Sequence, residues 1–278
     1  MIKIRNKSIL LIVAMGIIFT SCNKTNNIDI SSLKNINDYG SDTSVDDIEA
    51  LEFGKYPKDD ATAQKIEPIE WLILEIDKEN KKALLMSKYI IDSEKFNKER
   101  SGTTWEKSSV RKWLNETFYD LAFNEKEKEK IIEVDVLNSD SDSGIEHSTI
   151  AGNDTKDRVF FLSIEEADKY FNNINDNPDG IKFAATHGTY FAREGKKTKY
   201  NLTGRNRLKV IQDYKLSLDA LGQEDWIEYR NNNYYWLRSI GYEQDRAAVI
   251  TPTGIISKQG EYVNSQYIGV RPCMWIKY

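Results

Sequence analysis

The sequence predicts an α+β fold: a single mixed domain that ends in antiparallel strands. Short apolar runs between polar turns fall at both ends of the chain, and helical spacing of apolar residues is confined to the middle. Size agrees with this. The 278 residues are 40% hydrophobic and include 6 Trp, 15 Tyr and 10 Phe, enough for one packed core.

The elements follow in order. Residues 69–76 and 82–87 are apolar runs flanking the polar Asp77–Lys81, which predicts a hairpin. A helix is expected over 109–123, capped by Ser108, with Val110, Trp113, Leu114, Phe118 and Leu121 as its apolar stripe. A charged helix should run from Glu125 to Ile132, then a strand from Val134 to Leu137 and a polar loop over 138–157. Arg158–Leu162 reads as an apolar strand leading into a helix, where Ser163 and Glu166 make a capping box. Helical pieces are expected over 183–193 and 226–229. Strands are expected over 234–239, 246–251, 255–258 and 269–276, punctuated by Gly241, Gly254 and Gly260.

The first seven residues carry Lys3, Arg5 and Lys7 and no acid. An 11-residue apolar run, Ile9–Phe19, leads to Thr20-Ser21-Cys22. This is the pattern of a secretion signal over residues 1–21, and the run falls short of the roughly 20 residues a bilayer span needs. Phe19-Thr20-Ser21-Cys22 resembles the bacterial lipobox, with Phe in place of the usual Leu. That resemblance implies lipidation of Cys22 and an extracytoplasmic domain held to the membrane by acyl chains. Residues 22–49, rich in Asn, Ser and Asp, read as a flexible tether, and 50–278 as the globular domain.

Loss of the three leader cations takes the formal charge from −5 to −8, which argues against nucleic acid as a partner. With Cys22 lipidated, Cys273 has no partner for an intramolecular disulfide. Neither His147 nor His187 has a carboxylate at ligand spacing, so no metal site is expected, and no cofactor motif is present.

Several segments resemble a bacterial family, domain of unknown function 6273. They are Gly54-Lys55-Tyr56-Pro57, Pro68-Ile69-Glu70-Trp71, Ala83–Lys88, Thr104–Asn115, Asp157–Ser163, Trp236-Leu237-Arg238-Ser239 and Gly269-Val270-Arg271-Pro272. Ile240 and Cys273 depart from the Pro and Ala common there. The family implies a domain and no activity. The Trp-x-Arg-Ser and Gly-x-Arg strands are more loosely similar to the closing strands of C-type-lectin-like domains, including the formylglycine-generating-enzyme branch. The copper chemistry of that branch needs two cysteines, and only Cys273 remains.

Arg238 and Arg271 sit inside apolar strands. Each reads either as a guanidinium fork for an anionic ligand or as one half of an internal ion pair, with Glu70 or Glu106 as partner. Trp105, Trp113, Trp236 and Trp275 are available for a sugar-stacking platform or for the core. Trp105, between polar neighbours, is the least committed to packing, and Tyr234 and Tyr235 are open in the same way. Asn138–Gly144 alternates oxygen ligands, but its glycine falls one place late for a calcium loop and Thr149 stands where Glu belongs. Gly-x-Ser-x-Gly is absent, and no catalytic residues can be assigned. The expectation is a non-catalytic surface module binding glycan, wall polymer or protein through Trp105, Arg238, Arg271 and Tyr235. A structural component of an envelope complex and an extracellular polymer hydrolase are the alternatives.

Overall fold

A computed structural model describes residues 28–40, 43–59, 63–139, 149–171, 183–195 and 232–278. Strands β1 (Leu51–Pro57), β2 (Ile66–Asp77) and β3 (Lys82–Ser87) form an antiparallel meander. The expected hairpin is present, and its turn puts Lys81 at φ 49° while Asp77 accepts the Asn80 N–H. The short strand β4 (Asp92–Ser93) follows.

The central helix is α1 (Ser109–Trp113), a π-turn (Leu114–Phe118) and α2 (Tyr119–Ala122), with Ser108 as the N-cap. The π-turn adds a residue to one turn and rotates everything after it. Val110, Leu114 and Phe118 are therefore buried as the spacing predicts, but Leu121 faces solvent and Ala122 and Phe123 take its place. The next helix, α3 (Glu125–Lys128), is shorter than expected, because Ile131–Ile132 form strand β5 instead. Strands β6 (Val134–Val136) and β7 (Thr155–Asp157) pair with each other.

Residues 159–162 are buried but make only an isolated bridge, Phe160 to Cys273, and helix α4 (Ile164–Tyr170) opens on the expected capping box. Over 183–193 the helical character is limited to short turns. One of these is a π-turn at Phe191–Gly195, and the helix expected at 226–229 lies outside the described residues. The chain ends with β8 (Tyr235–Ile240), β9 (Arg246–Ile250), β10 (Ile256–Tyr262), β11 (Gly269–Val270) and β12 (Cys273–Lys277).

The two larger sheets have strand orders β1-β2-β3-β12-β5 and β10-β9-β8-β11-β4. Among the described residues every strand pairing is antiparallel except β11 with β8. The result is an α+β domain, as the sequence predicts. The last expected strand is in fact two strands in different sheets, divided at Arg271-Pro272. A Cβ at Gly269 would lie 2.4 Å from Ile90 Cγ2 and 2.9 Å from the Tyr234 carbonyl, so only glycine fits at this crossing.

The described part of the expected tether is packed rather than free. Ile30, Ile36, Val45 and Ile48 are buried in the common core. Strand β1 pairs with β2 only as far as Trp71, and beyond that point Asn35 bridges Ile73 and donates to the Leu74 carbonyl at 2.5 Å. Two short 3-10 turns, capped by the side chains of Asn35 and Ser44, satisfy the local backbone. Four scattered apolar residues in a polar segment suffice to join it to the common core.

Candidate functional site

Two stretches of chain cross between the sheets side by side: Lys88–Ile91, from β3 to β4, and Arg271-Pro272, from β11 to β12. Backbone bonds hold them in place, with Ser87 N donating to Pro272 O and Ile91 N to Val270 O. Arg271 binds the crossing from within. Its guanidinium donates to the carbonyls of Ser87, Lys88, Phe183 and Ala184 and to the Tyr235 hydroxyl, at 2.9–3.3 Å. Neutral oxygens thus solvate a fully buried charge.

The expected ligand-binding residues are locked into this interior. Tyr235 is buried, donates to Ala184 O at 2.9 Å, and has its hydroxyl pushed up to about 12 by burial. Arg238 is buried in a two-pronged ion pair with Glu166, not with Glu70 or Glu106, and also donates to the Phe161 and Leu137 carbonyls. Trp105 is wholly buried against Phe96 and Phe161. Its indole N–H donates at 2.9 Å to Asp157, which also takes Arg111 Nε at 2.7 Å and the Thr155 hydroxyl at 2.6 Å. The polar neighbours of Trp105 in sequence concealed this partner, which lies 52 residues away. None of Trp105, Arg238, Arg271 and Tyr235 offers a surface to a ligand, and all four organise the core. Trp236 is buried too, whereas Trp113 and Trp275 are half-buried against the core. Cys22 and His147 lie outside the described residues, as does most of the Asn138–Gly144 loop.

The same crossing has an outer face. Lys88 is buried to its ammonium, which donates at 2.9 Å to the carbonyls of Asp46 and Ile48 and lies 4.0 Å from Glu70. The half-buried Tyr89 donates to Asp46 Oδ1 at 2.9 Å. Its ring lies 4.7 Å from the His187 ring, with the Lys58 ammonium 5.6 Å from its centroid. Lys58 in turn pairs with Glu70. Beside these groups is a small surface depression. Its apolar wall is Pro57, Pro68, Ile69 and Ile91, and its polar lining is Tyr56, Lys58, Glu70, Tyr89 and Thr189.

Burial holds His187 below the ordinary histidine value, and the cations of Arg193, Arg271 and Lys58 add to this against Asp46. Burial also raises the Tyr89 hydroxyl, reinforced by its bond to Asp46. In sequence His187 has no carboxylate near it; the fold brings Asp46 up. Among the described residues no cluster of three or more His, Cys, Asp or Glu could hold a metal ion. Glu70 is held by Lys58, and Asp46 accepts from Tyr89, so neither is poised as a free acid beside a free base. Lys58 and Tyr89 went unnoticed in the sequence because they stand next to strand ends, as did Thr189 ahead of a π-turn, and only the crossing gathers them.

An α+β domain with this two-sheet crossing defines the class, and the sequence comparison supplies the family. The chain belongs to the family described as domain of unknown function (DUF6273), whose model matches residues 80–278. The match takes in both crossings, whereas β1, β2 and the N-terminal segment lie outside it. No curated protein and no solved structure matches the chain.

Proposed function

We propose that this chain is a lipid-anchored, extracytoplasmic binding domain without catalysis of its own, which recognises glycan or wall polymer through the depression beside Tyr89. The observation carrying this reading is the lining itself: an aromatic ring, hydroxyls and paired charges beside an apolar wall. Small-ligand sites combine these features, an apolar body with a few fixed polar groups. The acyl anchor rests on the leader and the Phe19–Cys22 pattern. Among the described residues no helix is long and apolar enough to cross a membrane. The lectin-like likeness of the closing strands adds nothing to the reading, because its Arg residues are occupied internally.

Two experiments test the proposal. Cells expressing the chain are labelled with radioactive palmitate, which should mark the wild type and leave Cys22→Ser unlabelled. Residues 23–278 are then titrated with peptidoglycan fragments. Binding should be lost in Tyr89→Ala and kept in Trp113→Phe, and equal binding by both variants would contradict the placement of the site.

A further inference from the structure

We infer that one end of the sheet β1-β2-β3-β12-β5 rests on the lipid bilayer, with Lys82, Lys277, Lys130 and Trp275 facing the headgroups. This rests on the acyl anchor at Cys22 and not on what the Tyr89 face binds.

The first argument is the length of chain available. Six residues separate Cys22 from Ile28, which packs against the core, and Ile30 just beyond it is buried. Whatever their path, six residues span at most about 20 Å. A tether free over 22–49 would reach several times farther. The packed segment therefore keeps the domain beside the membrane. On that segment Asn35 bridges Ile73, which lies about 13 Å along β2 from Asp77.

The second argument is what stands at that end of the sheet. Asp77 lies opposite Lys82, and Lys82 opposite Lys277, across β2, β3 and β12. Trp275 lies opposite Ile132, two residues after Lys130, and the Lys130 carbonyl takes the Lys277 N–H at 2.9 Å. Residues opposite one another, or two apart, share a face. Ala83, Ile276 and Ile131 alternate with this set and are buried, so the lysines point outward. Lysines directly opposed repel, and Asp77, 3.5 Å from Lys82, offsets one of them. Among the described residues neither Lys130 nor Lys277 has an ion pair. The half-buried Trp275 ring lies 4.8 Å from the Lys82 ammonium. Indole rings sit at headgroup level, and lysine stems lie along apolar surface while their charge reaches phosphate.

The third argument chooses between the two ends. With Lys78 and Lys81 of the turn, this end holds five lysines against Asp77, Glu79, Glu129 and the Tyr278 carboxylate. Glu75 and Glu133 nearby are taken by Lys169 and Arg158. A small positive excess thus stands in a chain that is −5 overall, which suits anionic headgroups. The other end of β3, about 20 Å away, leads to the Tyr89 face. There Asp46 holds Tyr89, and both Lys58 and Lys88 are turned to Glu70. Seating the Lys82 end on the bilayer leaves the Tyr89 face pointing away from it.

The test uses the full chain, lipidated through its own leader and placed in vesicles of phosphatidylcholine and phosphatidylglycerol. Cys273 is buried, so one added thiol takes a fluorescent label. Asn80→Cys puts the label in the turn beside the lysine row, and Lys65→Cys puts it just before the far end of β2. Lipids with a nitroxide headgroup should quench the label at 80 at least threefold more than the label at 65. Lys130→Glu combined with Lys277→Glu should abolish that difference with an unchanged melting temperature. Equal quenching at the two positions, stronger quenching at 65, or indifference to the charge reversal overturns the inference and leaves the anchor standing. A chain that takes up no palmitate in cells removes the anchor, and the inference falls with it.

Discussion

Lys88→Met tests whether residues 28–49 belong to the domain. The substitution keeps the length of the stem and removes the ammonium that holds Asp46 O and Ile48 O at 2.9 Å. Asp46 is at the surface and its carbonyl can rehydrate, whereas Ile48 is buried and its carbonyl is left unpaired. An unpaired buried acceptor costs about 1–3 kcal/mol, and a bond to a charged donor is worth about 1.5–3 kcal/mol. Relief from burying the charge offsets part of the sum, leaving about 2–3 kcal/mol lost from attachment of the segment. At 1.4 kcal/mol per factor of ten, this is roughly a 30- to 150-fold rise in local opening. The assay is amide hydrogen exchange at Asp47 and Ile48, whose N–H groups close the 3-10 turn onto Ser44 O and Val45 O. Exchange there should accelerate by that factor while β3 and β12 keep their protection. Rates at both amides within threefold of wild type would refute the reasoning and restore the segment to a loose tether.

Glu166→Gln leaves the buried Arg238 without its anion and should lower stability by about 2 kcal/mol, read from the denaturant midpoint. This is discounted from the cost of a fully buried pair because the Glu166 side chain is 34% exposed. Cys273 is wholly buried and its thiol is pushed up by burial, so the native protein should resist aromatic disulfide reagents and react stoichiometrically once unfolded. His187, depressed from 6.5 mainly by burial, gives a signed pH effect. Below about pH 6.5 the unfolded chain takes up a proton that the folded one resists. Stability should therefore fall as pH drops from about 6.5 through the lower folded value. His187→Asn should flatten that slope in thermal melts, and an unchanged slope would show that the imidazole is not held neutral by its surroundings.

The fold was legible where the signal was local. The hairpin of β2 and β3, the Ser108 cap and the capping box at Ser163 depend on residues within a few positions of one another, and all three are present. What the sequence hid was non-local. A π-turn turned Leu121 outward without changing the apolar spacing that suggested its burial. The apolar run 269–276 reads as one strand, yet Arg271-Pro272 passes it from one sheet to the other. The candidate site failed for the same reason. Arg271, Tyr235, Arg238 and Trp105 looked like misplaced polar or aromatic groups, whereas each has partners 36 or more residues away. Lys58, Tyr89 and His187 looked unremarkable because the crossing that gathers them joins segments about 30 and 100 residues apart.

The central claim is that recognition belongs to the face of the crossing around Tyr89 and not to the buried four. The most direct measurement is chemical-shift mapping of the labelled chain as peptidoglycan fragments and acidic glycans are added. The account predicts that perturbed amides will cluster at Tyr56, Lys58, Tyr89, His187 and Thr189, with Trp105 and Arg238 unmoved. Saturable perturbations centred on Trp105 or Arg238, with the Tyr89 face silent, would contradict it.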